Sequence, residues 1–277
     1  MKSMLMIRAL TFATAVVCAL SPAVHAQVLT FETGTASDNQ FTQNFRRIDS
    51  WTDNTVGQTD PTAGEPNNDY AFLSTSTVSP DPINGGLLLF DTTPADTTAG
   101  TDNTFAGPLT ITLDISAVQA DSSIGIMFLD GTNTNNLLAL FNLDTTGTSD
   151  RIRFFRDGIA TAVSAGTQIG TTANGGSGLN ISGTDPFTFG TMTVTYTPGT
   201  SNDTLLSLTV GTLSHSVSIL NTDRIDTPRI GVRLFDPSSA AGSVKFDNFS
   251  IVPEPSTVAL LLCGLGALAA LRRRRTS

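Results

Sequence analysis

The chain has 277 residues, of which 24 are acidic and 15 are basic, so its formal net charge is −9. This acidic balance argues against nucleic acid as a partner, because phosphate binding needs a basic surface. Its two cysteines, Cys18 and Cys263, lie in the apolar terminal segments described below. The part between those segments is therefore predicted to have neither a disulfide nor thiol chemistry.

The first 26 residues have the three parts of a secretory signal peptide. Lys2 and Arg8 supply positive charge, and the apolar run Ala9–Leu20 follows them. Small residues then lead to a predicted cleavage site between Ala26 and Gln27. Residues 1–26 are therefore predicted to be removed on export.

Residues 27–251 are predicted to be one exported domain, which contains 23 acidic and 9 basic residues. Its sequence consists of short β-rich runs separated by clusters of Gly, Asn, Asp, Pro and Thr, with no sustained helical period. Thirteen strands are predicted, namely Val28–Glu32, Phe41–Ile48, Tyr70–Leu73, Gly86–Phe90, Leu109–Ile115, Ser123–Leu129, Leu137–Phe141, Arg151–Arg156, Phe187–Thr197, Thr204–Val210, Ser214–Leu220, Arg229–Phe235 and Ser243–Ile251. The fold class is therefore predicted to be all-β, a single antiparallel β-sandwich of jelly-roll type.

The strands Arg151–Arg156 and Arg229–Phe235 alternate apolar residues with arginines, which predicts half-buried antiparallel strands. Asp130-Gly131, Asp157-Gly158 and Gly211-Thr212 are predicted hairpin turns. The Thr/Asn/Gly-rich stretches Thr92–Thr104 and Gly170–Ser182 are predicted to be loops.

The domain opens with Val28–Glu32 and closes with Gly242–Ile251, and Ile124–Phe128 and Arg229–Arg233 lie between them. This pattern resembles the concanavalin A-like lectin and glucanase sandwiches and the related carbohydrate-binding jelly rolls. The resemblance implies that the first and last strands lie side by side.

The residues needed for catalysis are scarce. Glycosidases need two carboxyl groups that flank the scissile bond, and the glucanases that the domain resembles carry paired glutamates on one strand. Glu32 and Glu65 are the only glutamates in residues 27–251, and they are far apart in sequence. His215 lies within a strand among serines, with no nucleophile elbow, and is interpreted as a surface histidine. We therefore predict a non-catalytic protein, with a lectin-fold glycan hydrolase or lyase and a purely structural surface protein as the alternatives.

Four arginines are candidate glycan-binding residues if their two strands share a sheet, namely Arg151, Arg153, Arg229 and Arg233. The planar fork of arginine suits sugar carboxylates and sulfates, so the predicted partner is an acidic extracellular polysaccharide. The alternative is that these are ordinary outward-facing arginines paired with aspartates.

Trp51, the only tryptophan, lies in the polar segment Asp49–Tyr70 and is a candidate platform for a sugar ring. The alternative is that it packs into the core. Acidic, oxygen-rich loops suit Ca²⁺. Glu32 and Asp247 would meet if the terminal strands pair, so they are candidate ligands for that ion. No other cofactor is indicated.

The C-terminal tail, residues 252–277, has three parts. Pro253, Glu254 and Pro255 precede the apolar run Val258–Leu271, and a basic cluster follows that consists of Arg272, Arg273, Arg274 and Arg275. The run has 14 residues, which is short of the ~20 that cross a bilayer comfortably, although arginine stems can extend the span. The positive cluster predicts that the C-terminus stays in the cytoplasm.

This tail resembles the PEP-CTERM sorting signal of Gram-negative bacteria that make exopolysaccharide. The resemblance implies that an exosortase-type membrane protease recognises Pro253, Glu254 and Pro255. The protein is then first an intermediate anchored in the inner membrane and facing the periplasm. After processing it belongs to the cell surface or to the exopolysaccharide matrix of a biofilm.

Overall fold

The structure is a computed structural model that describes residues 27–29, 45–47, 55–58, 71–74, 84–91, 103–117, 123–131, 135–142, 150–157, 166–174, 190–200, 203–236 and 243–254. These residues form fifteen strands and one short 3₁₀ turn, Asn221–Asp223. The strands are β1 (Gln27–Leu29), β2 (Phe45–Arg47), β3 (Thr55–Gln58), β4 (Ala71–Ser74), β5 (Asn84–Phe90), β6 (Leu109–Ala117), β7 (Ser123–Leu129), β8 (Asn136–Asn142), β9 (Arg151–Arg156), β10 (Thr167–Asn174), β11 (Gly190–Thr197), β12 (Thr204–Val210), β13 (Leu213–Ile219), β14 (Arg229–Asp236) and β15 (Ser243–Pro253). The predicted all-β class is confirmed.

The strands form two antiparallel sheets that pack face to face. The eight-stranded sheet has the order β13-β12-β11-β6-β15-β4-β3, and β1 also pairs with β15. The seven-stranded sheet has the order β10-β9-β8-β7-β14-β5-β2. The predicted antiparallel sandwich is therefore confirmed.

The first and last strands lie side by side, as the lectin-like resemblance implies. β1 runs antiparallel to β15, with Gln27 opposite Ile251 and Leu29 opposite Phe249. β15 pairs with β6 on its other side over nearly its whole length, with one β-bulge between Asp247 and Ser250. The end of the domain is thus held in the interior of the sheet and not at its edge.

The main core lies between the two sheets. In β11 and β12 every second side chain is buried, as expected for strands with one face on the core. Four phenylalanines, Phe45, Phe90, Phe246 and Phe249, pack edge-to-face or tilted with ring centroids 5.2–6.4 Å apart. These rings join β2 and β5 of one sheet to β15 of the other.

The central strands β7 and β8 of the seven-stranded sheet are buried on both faces. The second face of this sheet carries a separate apolar cluster, formed by Leu87, Leu89, Met127, Leu129, Leu138, Leu140 and Phe155. The prediction of a half-buried strand at Arg229–Phe235 is therefore wrong, because Arg229 and Arg233 are buried as well. Alternation along a strand shows that its two faces differ, but it does not show that one of them meets water.

Two strands, β3 and β10, were not predicted. β10 extends to Asn174, so the predicted loop at Gly170–Ser182 begins inside a strand. Gly211 and Thr212 join β12 directly to β13, with Gly211 at φ 56°, which confirms that hairpin. Asp130-Gly131 and Asp157-Gly158 instead begin longer connections, since β8 starts at Asn136 and β10 at Thr167.

Candidate functional site

The first residues of the C-terminal tail belong to the sandwich. Val252 lies opposite Thr110 and Pro253 lies opposite Leu109, so β15 continues along β6 up to Pro253. Pro253 is buried, whereas Val252 and Glu254 are exposed. Two of the three residues of the predicted Pro-Glu-Pro motif, Pro253 and Glu254, therefore lie within the described fold. Pro255 and the arginines at 272–275 lie outside the described residues.

Two hydrogen bonds hold Glu254. Its backbone N–H donates to the carbonyl oxygen of Pro108 at 2.8 Å. The hydroxyl of Thr110 donates to Glu254 Oε1 at 3.2 Å. Neither partner could be found from a local motif, because Thr110 precedes Glu254 by 144 residues.

The two strands of the predicted arginine stripe lie in the same sheet, with β8 and β7 between them. Arg153 lies opposite Leu140 of β8, and Leu140 lies opposite Gly125 of β7. Gly125 in turn lies opposite Arg233 of β14. Directly opposed residues of antiparallel strands share a face, so Arg153 and Arg233 lie on the same face of the sheet.

The four arginines do not form one exposed stripe. Arg229 and Arg233 are only 2% and 4% exposed. Arg151 and Arg153 are half-buried. The reason is that this face is shared with the leucines of β5, β7 and β8. Of these four arginines, only Arg151 and Arg153 on β9 are partly accessible.

Three of these arginines influence one another electrostatically, and we call Arg151, Arg153 and Arg233 the arginine cluster. Burial, and after it the positive charge of Arg153, lowers the pKa of Arg233 to about 10. Burial, and after it the positive charge of Arg151, also lowers the pKa of Arg153. Like charges that repel in a low-dielectric setting favour an anion beside them.

Arg153 is oriented by two neighbours. Its Nε and one terminal nitrogen donate to Asn142 Oδ1 at 3.2 and 2.6 Å. Its guanidinium carbon lies 5.5 Å from the centroid of the Phe155 ring. Both partners are neutral, and among the described residues no carboxylate contacts Arg153. Sequence reasoning missed Asn142, whose role depends on the pairing between β8 and β9, and Phe155, which lies two residues after Arg153 on the same face of β9.

Asp247, a predicted calcium ligand, lies opposite Asp114 on the outer face of the eight-stranded sheet. Asp114 accepts hydrogen bonds from Thr191 Oγ1 at 2.7 Å and from Asn248 Nδ2 at 2.8 Å. Asn248, at φ 49°, donates its N–H to Asp247 Oδ1 at 2.7 Å. Within the described ranges, no group of three or more His, Cys, Asp or Glu residues could hold a metal ion. Glu32 lies outside those ranges.

His215 lies on β13, the edge strand of the eight-stranded sheet, and keeps part of its surface exposed. Its side chain is half-buried and lies between the two sheets, with Nε2 2.9 Å from the carbonyl oxygen of Thr171 on β10. Its ring centroid lies 5.5 Å from that of Phe154 on β9. His215 therefore links the edges of the two sheets. Trp51, the predicted sugar platform, lies outside the described residues.

The fold and the tail together define a β-sandwich protein with a C-terminal sorting signal. Residues 252–275 match the family model for the PEP-CTERM protein-sorting motif. The chain therefore carries this motif, as its sequence predicts. No curated protein matches the chain in sequence. None of the described residues forms a helix that is long and apolar enough to cross a membrane.

Several solved structures are similar in overall fold. The legume lectin-like domain from Entamoeba histolytica is 8% identical, with a TM-score of 0.49 over 82% of this chain and 97% of that one. A family 7 alginate lyase is 14% identical, with a TM-score of 0.49 over 80% and 100%. The potassium-bound carbohydrate recognition domain of Emp46p is 12% identical, with a TM-score of 0.47 over 82% and 97%. At these identities the similarities assign no site to this chain.

Proposed function

We propose that this chain is an exported, non-catalytic surface protein that an exosortase-type protease sorts and that binds acidic polysaccharide of the extracellular matrix. The match of residues 252–275 to the PEP-CTERM motif supports the sorting part. The cleaved signal peptide and the C-terminal membrane helix stay predictions from the sequence.

The placement of the two ends of the domain supports a membrane-anchored intermediate. Gln27, the first residue after the predicted signal-peptide cleavage site, lies opposite Ile251, two residues before Pro253. Because β1 and β15 are antiparallel, the start of β1 and the end of β15 lie at the same end of the sandwich. This placement suits a precursor whose predicted signal peptide and predicted tail helix enter one membrane.

The sorting part is tested by replacing the acidic residue of the motif. Glu254→Gln removes the charge but keeps an acceptor for the Thr110 hydroxyl. We expect the full chain to keep its tail and to accumulate in the inner membrane, as measured by the mass of the intact protein in membrane fractions. Asp226→Asn makes the same chemical change at an exposed site and should leave tail removal unchanged. Normal processing of Glu254→Gln would contradict recognition of the motif.

The arginine cluster supports the glycan-binding part. Arg151 and Arg153 are partly accessible on a domain with an excess of acidic residues, and Arg153 is oriented by neutral partners. A uronic acid carboxylate can accept two parallel hydrogen bonds from a guanidinium group.

Binding is tested with the full chain in detergent micelles and two polymers, polygalacturonate and neutral dextran. We expect retention on polygalacturonate only, with affinity that falls as salt rises, because exposed charge pairs are screened. Running both with calcium and with a chelator tests the predicted calcium sites in the same experiment. Equal retention on both polymers would contradict recognition of the sugar carboxylates of polygalacturonate.

The non-catalytic part is supported by Asp114 and Asp247, two aspartates on paired strands whose carboxylates accept hydrogen bonds from the protein itself. Both oxygens of Asp114 accept hydrogen bonds, and Asp247 accepts the N–H of Asn248 at the β-bulge. These bonds fix the local backbone, which is a structural role. We expect no release of oligosaccharides when the protein is incubated with polygalacturonate.

A further inference from the structure

The sorting motif begins inside the folded sandwich and not in a linker beyond it. β15 pairs with β6 through Pro253, and the pairing places Ile251 opposite Ile111 and Val252 opposite Thr110. Pro253 is buried. Pro253, the first residue of the motif, is thus part of the same sheet that forms the core.

The contacts of Glu254 continue this attachment by one residue. The main chain is held through the bond from its N–H to the Pro108 carbonyl at 2.8 Å. The carboxylate is held through the Thr110 hydroxyl at 3.2 Å. Backbone groups that are already bonded within a sheet are not available to a second protein that would bind the same segment as an extended strand.

We infer that the folded domain sequesters the segment Val252–Glu254, and that Thr110 is a positioning residue that limits how often this segment is released to the sorting protease. This inference rests on the proposed sorting function. The protease can engage the motif only after the last residues of β15 separate from β6. Such separation is a local opening at the end of a strand, which costs much less than unfolding the domain.

The hydrogen bond between Thr110 and Glu254 sets how much the open fraction of the segment should change when Thr110 is replaced. A single side-chain hydrogen bond contributes modestly, so its loss should raise the open fraction about two- to tenfold. The Pro108 carbonyl bond stays in place, because it involves only the backbone. Replacement of Thr110 should therefore accelerate release without unfolding the sandwich.

The test compares Thr110→Val with Thr112→Val in the full chain. Thr112 lies on the same face of β6 but opposite Ser250, two residues before Val252. Both changes replace a hydroxyl by a methyl group at a strand position, so their effects on strand propensity are matched. Thr110→Ser keeps the hydroxyl donor and should restore the behaviour of the unchanged protein.

Two readouts are measured on the same variants. The first is hydrogen exchange at the Glu254 amide of the full chain in detergent micelles. The second is the rate of tail removal in a pulse-chase experiment in cells that contain the sorting protease. We expect Thr110→Val to accelerate both about two- to tenfold, with Thr112→Val and Thr110→Ser unchanged.

The outcomes separate this inference from the proposed function. If the unchanged protein never loses its tail, the proposed sorting is wrong, while the exchange rates still test whether Thr110 holds Glu254. Equal rates for Thr110→Val and Thr112→Val would overturn the sequestration. Slower tail removal in Thr110→Val would overturn it too, because the contact would then present the motif to the protease.

Discussion

Arg153 on β9 and Arg233 on β14 lie in one row across the seven-stranded sheet, separated by Leu140 and Gly125. Burial, followed by the charge of Arg153, lowers the pKa of Arg233 to about 10. Both side chains still carry their charge at neutral pH. Arg153 is the member of this row that keeps part of its surface accessible, which is why this face is the candidate site for an acidic sugar.

Arg153→Gln should weaken binding of polygalacturonate on the order of tenfold or more, because a hydrogen bond to a charged group contributes about 1.5–3 kcal/mol. The affinity is measured by titration of the full chain in detergent micelles. Arg156→Gln is the matched control, since Arg156 is on the same strand but pairs with Asp223. Equal losses in the two variants would show that binding follows total charge and not the arginine cluster.

Tyr196→Phe should lower the free energy of unfolding by about 1–3 kcal/mol. The Tyr196 hydroxyl donates to the carbonyl oxygen of Ile225 at 2.9 Å and accepts from the N–H of Ile225 at 3.0 Å. Removal of this hydroxyl leaves the carbonyl oxygen and the N–H of Ile225, which are both buried, without this hydrogen-bond partner. Chemical denaturation of the full chain measures the change. Thr193→Val, on the opposite face of the same strand, should change stability by less than about 0.5 kcal/mol.

The stabilising effect of the Tyr196 hydroxyl should decline at alkaline pH. Burial raises the pKa of Tyr196, although the bond with Ile225 opposes that shift. The unfolded chain releases the tyrosine proton near pH 10 while the folded chain keeps it, so stability falls as pH rises above about 10.

The contribution of Arg233 to stability changes in the opposite direction, because its pKa in the folded protein is lowered to about 10. This contribution rises with pH above that value. Comparison with Tyr196→Phe removes this contribution, since Arg233 is present in both proteins. The difference in unfolding free energy between the two proteins should shrink as the pH rises above about 10. A constant difference would contradict the raised pKa of Tyr196.

Gly125→Ala should destabilise the domain by about 1–3 kcal/mol. A Cβ atom at this position would lie 2.7 Å from the carbonyl oxygen of Ala139 and 2.8 Å from Leu138 Cδ1. Gly131→Ala is the control, because a Cβ atom there meets nothing within 4 Å. The melting temperatures of the two full-length variants, measured by thermal unfolding, distinguish the two substitutions. Similar melting temperatures for the two variants would show that the sheet adjusts to the added methyl group.

Much of the fold follows from local patterns. The β-rich runs and turn clusters predict most of the strands, and the pairing of β1 with β15 agrees with the resemblance to lectin-like sandwiches. β3 and β10 were missed because their sequences, Thr55–Gln58 and Thr167–Asn174, are rich in Thr, Gln and Gly. Such residues become strands when a neighbour supplies the hydrogen bonds, and that neighbour is not visible locally.

The sequence alone identifies the sorting motif, since Val-Pro-Glu-Pro, the apolar run and the arginines are contiguous and each acts through its own chemistry. Only the tertiary structure decided that Glu254 is held by Pro108 and Thr110, and that Arg229 and Arg233 are buried while Arg153 is partly accessible. The physical reason is that a chemical signal can be contained in a short segment. Burial and hydrogen bonding instead depend on strands that lie far apart in the chain and meet only when the two sheets form.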